Sequence, residues 1–321
     1  MRVEIIDNIN HFPQFEAQNV FQTKEYMRLF EYEKGTKVVL FAVYSDFSLL
    51  LIQPLTIIRY YRHLPCKFAS YAVAWREPWR AQNITDEEAV RAFELMSEAI
   101  VKYCRKRALY VEYRHFLEGN IYHPLLISYK VLPWCNIYRK FSAAEVVEQW
   151  MNKSKRKQLR QSFDSGVEVE LNPSDKDIKD WYALLRKLYY RIHRPLPSVD
   201  LFLKLNESGI GRVFVVKYQG RVLSGSAILY FQSKAENSQL STLNSQLFYE
   251  WYRASVDDRI EGVYPSVVAT WQAMQLVVDM GGGMFDFMGT GPRNKEYGVR
   301  EFKLKFGGEI TNEYRYRRLL I

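Results

Sequence analysis

The chain has 321 residues, of which 48% are hydrophobic and 15% aromatic, so it can bury a large core and does not have the composition of a disordered protein. Its formal net charge of +9 favours an anionic partner, which could be a phosphorylated small molecule, a nucleic acid or an anionic membrane face. Three widely separated cysteines argue against a disulfide scaffold, and the five histidines lack metal-binding spacing, so we expect no metal.

The amino-terminal region gives no sign of export or membrane insertion. Residues 1–10, MRVEIIDNIN, carry early acidic residues and lack the apolar segment of a signal peptide. The apolar stretch at residues 47–58 is too short to span a bilayer and contains Pro54. We therefore expect no transmembrane segment and a cytoplasmic protein, either free or at the inner face of the membrane.

In the first half of the chain, predicted helices alternate with predicted strands. Thr23 is a suitable N-cap for a helix over residues 21–35, and residues 37–59 read as a β-hairpin. A second helix, at residues 85–107, begins with a capping box and is followed by an alternating strand. This order predicts an α/β domain.

A basic helix marks the start of the second half. The pattern predicts this helix over residues 142–166, beginning with a capping box and ending at a C-terminal glycine. We therefore place a boundary near residue 150 and predict domains over residues 1–150 and 151–321. The extreme C-terminus would be free to pack back on the first domain.

The second domain has the predicted order β-α-α-β-β-β-α-β-α-β. This order starts with strand VEVEL and helix SDKDIKDWYALLRKLYYRIH, and Pro265 lies near the first turn of its later long helix. One segment does not belong to this order, because residues 237–247 are polar, uncharged and repeat the letters NSQL. We interpret that segment as an inserted surface loop without chemistry.

Four segments resemble the FemAB-type branch of the GNAT acyltransferase superfamily. They are VFQTKEYMRLF at residues 20–30, KSKRKQLRQSFDSGVEVE at 153–170, YPSVVATWQAMQLVVDMGGGMFDFMGTG at 264–291 and GVREFKLKFGGE at 298–309. They occur in the family's order and together span most of the chain. The resemblance implies the α/β (α+β) class, with two tandem GNAT-like domains that are each a mixed twisted sheet flanked by helices.

The same resemblance implies an activity and its substrates. The chain resembles enzymes that transfer an acyl or aminoacyl group from acyl-CoA or aminoacyl-tRNA to an amine. The acceptor it implies is a phosphorylated or lipid-linked amine, such as a peptidoglycan or other cell-envelope precursor. The chain lacks both the helical arm of some family members and the usual pyrophosphate-binding loop before residue 265. The sequence therefore does not decide between acyl-CoA and aminoacyl-tRNA as the acyl donor.

Lys303 and Phe302 are the candidate catalytic residues. They stand at the Phe-Lys position of the family's closing motif, whereas Met288 interrupts the family's Asp-Phe-Gly motif. Acyl transfer needs a group that stabilises the developing oxyanion, and a positioned lysine cation can do this. Phe302 would wall the cleft and exclude water. The alternative is that Lys303 is a solvated helix residue whose stem packs on a phenylalanine.

The basic helix provides the first set of candidate substrate-binding residues. The candidate is a basic run of five cations: Lys153, Lys155, Arg156, Lys157 and Arg160. Positions 153, 156, 157 and 160 of this run follow the i, i+3, i+4, i+7 spacing of one helical face. Such a face could hold a diphosphate or an RNA backbone, or it could simply be solvated.

Further candidates for substrate binding lie outside this helix. They are Arg28, Tyr252, Tyr264 and Lys305. Two neighbouring acids, Asp257 and Asp258, could accept a proton from the amine or could lie in a turn. The residues alone do not identify a general base.

A protein of a different class fits the same charge pattern. A GNAT-like protein without catalytic function could bind RNA or an anionic lipid through the basic face. A lysine at position 303 inside a cleft would favour the enzyme, whereas a filled cleft beside an exposed basic surface would favour the binding protein. The oligomeric state is not predicted.

Overall fold

The computed structural model describes residues 1–31, 33–60, 66–232 and 246–320. Two compact units divide the chain. The first unit comprises Met1–Cys135, Pro292–Asn294 and Asn312–Ile321, and the second comprises Asn136–Gly291 and Lys295–Thr311.

The first unit has a sheet in the order β1-β2-β3-β4-β6-β13, with β5 beside β3. Its strands are β1 (Arg2–Ile6), β2 (Thr36–Ser45), β3 (Ser48–Arg59), β4 (Ser70–Ala74), β5 (Trp79–Arg80) and β6 (Tyr110–Leu117), together with parts of β7 (Lys130–Ser142) and β13 (Glu309–Leu319). Its helices are α1 (Lys24–Leu29), α2 (Cys66–Ala69), α3 (Asp86–Cys104) and α4 (His123–Leu126). Strands β4 and β6 are parallel, and the other neighbouring pairs are antiparallel.

Local sequence signals explain the elements of the first unit. The Thr23 side chain accepts the Tyr26 N–H and caps α1, and Thr85 with Glu88 forms the predicted capping box of α3. Strands β2 and β3 pair as the predicted hairpin. Helix α3 buries its apolar face, including Phe93, against the sheet.

The second unit has a mixed sheet in the order β7-β12-β11-β10-β9-β8. Its further strands are β8 (Val167–Glu170), β9 (Gly211–Tyr218), β10 (Arg221–Gln232), β11 (Gln246–Ser255) and β12 (Gly282–Asp286). Its helices are α5 (Lys153–Asp164), α6 (Asp175–Arg191), α7 (Val199–Leu205), α8 (Pro265–Asp279) and α9 (Gly298–Leu304). This sequence of elements confirms the predicted order, and both units confirm the α/β class with helices beside mixed sheets.

The start of the basic helix was predicted incorrectly. Ser142 belongs to strand β7, where it pairs with Gly282, so it cannot begin a helix. Its N–H does bond Glu145, as a capping box requires, but α5 begins only after Asn152, whose side chain accepts the Lys155 N–H. The chain enters the second unit between residues 135 and 136, inside β7, and therefore before the predicted boundary.

The predicted loop at residues 237–247 lies outside the described residues, except for its last two. Gln246 and Leu247 open strand β11, and Leu247 pairs with Met284 of β12. Helix α8 buries its side chains in the core on one face of the second sheet, as Val267 and Phe248 show.

Candidate active site

The site lies where two parallel strands stop pairing. Strands β11 and β12 are paired from Leu247 with Met284 to Tyr249 with Asp286. Glu250 is the first residue beyond this paired segment on β11. Beyond Asp286, the next N–H of the chain donates to a carbonyl of β7. The ends of the two strands therefore provide main-chain and side-chain groups that the ladder does not use.

Lys303 of helix α9 reaches this point. The side chain is buried, and its Nζ donates hydrogen bonds to the carbonyl oxygens of Phe287 and of Met288, the latter at 2.7 Å. A carboxylate oxygen of Glu250 lies 3.1 Å from the same Nζ as an ion pair. Burial lowers the pKa of Lys303, and the Glu250 carboxylate opposes this shift. The ammonium thus has two main-chain hydrogen-bond acceptors and one carboxylate at ion-pair distance.

Two glycines let the chain place this lysine. Gly307 has φ 85°, and a Cβ there would lie 2.5 Å from the Trp150 carbonyl oxygen. A Cβ on Gly308 would lie 2.2 Å from a methyl carbon of Ile137. Helix α9 is only seven residues long, and the fully buried Phe306 fixes its end. The Gly-Gly pair therefore allows the helix end to pack closely enough to bury Lys303.

Met288 has an uncommon backbone conformation at the same place. Its φ of 46° is in the left-handed region, where side chains are usually disfavoured. The Met288 N–H donates to Asp286 Oδ1 at 2.7 Å, and Asn136 donates to the same oxygen at 2.8 Å. These bonds hold the turn that directs the Met288 carbonyl at Lys303. The residue that interrupts the expected family motif is thus part of the lysine's binding site.

A β-bulge brings a second cation to Glu250. Across the β10–β11 pair, Ala227 faces Tyr252 and Ile228 faces Glu250, which leaves Trp251 as an extra residue. Residues i and i+3 of a regular strand point to opposite faces. The bulge instead allows Arg253 Nε to lie 3.6 Å from Glu250, while Arg253 also donates to Thr270 of α8.

Phe302 is half-buried beside this group. The Lys155 Nζ lies 4.7 Å from the centroid of its ring, and the Arg253 Cζ lies 4.9 Å from the same centroid. Burial lowers the pKa of Lys155, and the neighbouring charges of Lys305 and Arg253 lower it further. Lys303, Phe302 and Lys305 of the predicted site are thus brought together with Lys155, Arg253 and Glu250.

Sequence reasoning missed Glu250 and Arg253, whereas Lys155 was one of the five cations of the predicted basic run. The helical face predicted within that run, at positions 153, 156, 157 and 160, left Lys155 out. Glu250 carries one usable signal, since it is an acid inside the otherwise apolar stretch LFYEWY. Arg253 has no such signal, because the face of the sheet to which its side chain points depends on the bulge.

Among the described residues, the hydrogen bonds and the ion pair of Lys303 involve none of the other predicted residues. On α5, Lys153, Lys157 and Arg160 are exposed, and Arg156 is half-buried. Arg28 is exposed on α1, in the other unit. These positions stay predictions for substrate binding.

The two predicted tyrosines of the second unit are also separate from the ammonium group. Tyr252 packs on Phe202 and Tyr189, which belong to α7 and α6. Tyr264 precedes α8, and its N–H donates to Ser162 at 2.9 Å. Their contacts therefore support the packing of helices in this structure, and a substrate contact stays a prediction.

The two acids considered as proton acceptors form surface ion pairs. Asp257 lies 2.9 Å from Arg191 and 3.4 Å from Lys187, and Asp258 lies 3.5 Å from Arg221. The hydrogen bond from Arg191 lowers the pKa of Asp257. Within the described ranges, no group of three or more His, Cys, Asp and Glu side chains could hold a metal ion.

Comparison with known proteins identifies the fold. No protein-family model and no curated protein matches the sequence. The match to the crystal structure of FemX covers 98% of this chain and 97% of the FemX chain, with a TM-score of 0.61 and 13% sequence identity. A tandem GNAT protein from the clavulanic acid biosynthesis pathway matches 100% of this chain and 99% of its own, with a TM-score of 0.54 and 8% identity.

L-PGS from Bacillus licheniformis shares the fold as well, matching 97% of this chain and 90% of its own with a TM-score of 0.53 and 13% identity. The chain therefore has a tandem GNAT-like fold. The expected resemblance to the FemAB-type branch is confirmed at the level of the fold. In the part of the chain that the structure describes, no helix is long and apolar enough to cross a bilayer.

Proposed function

We propose that the protein is an N-acyltransferase whose reaction takes place beside Lys303 in the second unit. The observation that carries this proposal is a buried ammonium at the end of a parallel strand pair, in contact with a buried carboxylate. Burying such a charge costs several kcal/mol after relaxation, on the order of the penalty found for other buried ions. A lysine with a purely structural role would be stabilised more simply in solvent.

The chemistry follows from the two charged side chains. The substrate amine attacks the donor carbonyl, a C–N bond forms, and negative charge develops on the carbonyl oxygen. The Lys303 charge stabilises that oxyanion. Glu250 takes the proton of the attacking nitrogen and passes it to the sulfur or oxygen that leaves as the donor bond breaks. Once Glu250 is protonated, it no longer neutralises Lys303, so the full cationic charge acts on the oxyanion.

The substrates belong to the same proposal. The donor is acyl-CoA or aminoacyl-tRNA, and the acceptor is a phosphorylated or lipid-linked amine of a peptidoglycan or other cell-envelope precursor. The fold shared with FemX and a tandem GNAT protein supports this choice. Phe302 walls the site against water. Such a substrate would be met in the cytoplasm or at the inner face of the membrane.

Replacing Lys303 tests the proposal. Lys303→Met keeps the length of the stem and removes the charge, and we expect transfer to fall by about 10²- to 10³-fold because oxyanion stabilisation is lost. The measurement is transfer of a labelled acyl group to a nucleotide-linked muropeptide, supplied either from acetyl-CoA or from aminoacyl-tRNA. Lys179→Met removes an exposed lysine of α6 and should leave transfer unchanged. Near-normal turnover by Lys303→Met, in a folded protein, would refute the assignment.

A non-catalytic protein that binds RNA or an anionic lipid is the second candidate. The exposed cations of α5, Lys153, Lys157 and Arg160, favour it. Binding of RNA or anionic vesicles that depends on these three residues, without transfer from either donor, would support this candidate over the enzyme.

A further inference from the structure

Two cations lie over the half-buried ring of Phe302, and a third is close to one of them. Lys155 of α5 and Arg253 of β11 lie 4.7 and 4.9 Å from the ring centroid. The exposed Lys305, at the end of α9, acts electrostatically on Lys155. We call these three residues the Phe302 cluster. They come from three different elements, so the fold builds the cluster and no single basic run explains it.

The charge of the Phe302 cluster is poorly neutralised by the protein. The hydrogen-bond acceptor of Lys155 Nζ is the neutral amide oxygen of Gln158, at 2.8 Å. Arg253 lies near the Glu250 carboxylate, but that group is shared with Lys303. Among the described residues, neither Lys155 nor Lys305 forms an ion pair with a carboxylate. Burial lowers the pKa of Lys155, and repulsion by the charges of Lys305 and Arg253 lowers it further.

We propose that the Phe302 cluster binds a phosphate group of one of the substrates. Lysine and arginine donors from three elements suit a phosphate, which offers several acceptor oxygens and the missing negative charge. Phe302 is adjacent to Lys303 in the chain, so a phosphate held there would orient the substrate close to the transfer site. That the molecule bearing this phosphate is a substrate rests on the proposed function. Binding of the phosphate itself does not, because it can be measured without any transfer reaction.

Two single-charge variants test the inference. Calorimetric titration with inorganic pyrophosphate, at constant ionic strength, compares the wild type with Lys155→Gln and Lys179→Gln. Both variants remove one lysine charge, but Lys179 is exposed on α6 and lies outside both the cluster and the basic face of α5. We expect Lys155→Gln to weaken pyrophosphate binding about tenfold or more, as loss of a charge-assisted hydrogen bond predicts, and Lys179→Gln to change it by less than about twofold. Equal weakening by both variants, or no binding by the wild type, would overturn the inference.

Competition then identifies the carrier of the phosphate. Coenzyme A, an RNA minihelix ending in CCA, and UDP are each titrated into the protein saturated with pyrophosphate. Displacement by coenzyme A or by the minihelix assigns the cluster to the donor, and displacement by UDP assigns it to a nucleotide-linked acceptor. Failure of all three to displace pyrophosphate would contradict a substrate role. Because no transfer is measured, this result stands apart from the outcome for Lys303→Met.

Discussion

At the scale of single residues, the buried pair of Lys303 and Glu250 is costly for the stability of the second unit. Removing one partner of such a pair leaves the other charge buried and costs about 3–5 kcal/mol. The structure compensates with two main-chain carbonyls on the lysine and with Arg253 near the carboxylate. Groups held so unfavourably for stability are typical of sites where chemistry needs them.

The carboxylate itself can be tested with a conservative change. Glu250→Gln keeps the shape of the side chain but cannot accept the amine proton, so we expect kcat to fall by about 10²-fold with a smaller change in KM. Steady-state transfer assays measure both constants. Glu250→Asp retains a carboxylate and should recover part of the lost rate if that group moves a proton. Equal losses in the two variants would indicate that Glu250 only positions Lys303.

The Gly-Gly pair after α9 makes a second prediction at this scale. Gly166 and Gly307 both follow helices of the second unit, at φ 88° and 85°, but a Cβ on Gly166 would meet nothing within 4 Å. Gly166→Ala should therefore cost about 1 kcal/mol, from the left-handed conformation alone. Gly307→Ala should cost about 2 kcal/mol more, because its Cβ would also clash with Trp150. Urea unfolding gives both values, and equal losses would show that the close contact has no cost.

At the scale of elements, an ion-pair cluster joins β6 and β13 in the first unit. Glu112 on β6 is buried and accepts hydrogen bonds from Arg114 and, at 2.7 Å, from Arg317 on β13, with Arg315 at 3.8 Å. Burial alone would raise the pKa of Glu112, but these guanidinium groups outweigh it and lower the pKa to about 2. The charged carboxylate therefore stabilises the pairing of the two strands.

The sign of the pH dependence follows from that shift. Because the pKa of Glu112 is lower in the folded state, its stabilisation is complete above pH about 4.5 and is lost as the pH falls towards 2. Glu112→Gln should be less stable than the wild type by about 3 kcal/mol at pH 7, and the difference should shrink as the pH falls through this range. Urea unfolding at pH 7, 5, 4 and 3 measures the difference. A difference that stays constant with pH would contradict the role of the charge.

How much of these elements the sequence predicts depends on how local their causes are. The cap of α1 and the capping box of α3 need only a few neighbouring residues, and both were predicted. The capping pattern at Ser142 misled, because pairing of Ser142 with Gly282, far along the chain, overrides the local preference. The bulge at Trp251 likewise depends on the partner strand, so no pattern within β11 predicts it.

At the scale of the whole molecule, fold and site were predictable to different degrees. Four ordered segments were enough to predict a tandem GNAT-like fold that structures with 8–13% identity share. The same segments pointed to Lys303 and Phe302, because those residues lie inside one of the motifs. The segment at 153–170 contains Lys155 within its basic run, but no segment pointed to Glu250 or Arg253, which join the site only through packing. The net charge of +9 was informative about partners but not about which cations converge.

The extra residue of β11, Trp251, matters when this chain is compared with related or redesigned sequences. Glu250 and Arg253 share a side of the sheet only because Trp251 has no counterpart on β10. A chain that gained a matching residue in β10 would lose the bulge and keep every charged side chain, yet Glu250 and Arg253 would then be residues i and i+3 of a regular strand and would point to opposite faces. The register of the β10–β11 pair is therefore a stricter criterion for a working site than the identity of the residues, and an insertion in β10 opposite Trp251 would signal its loss.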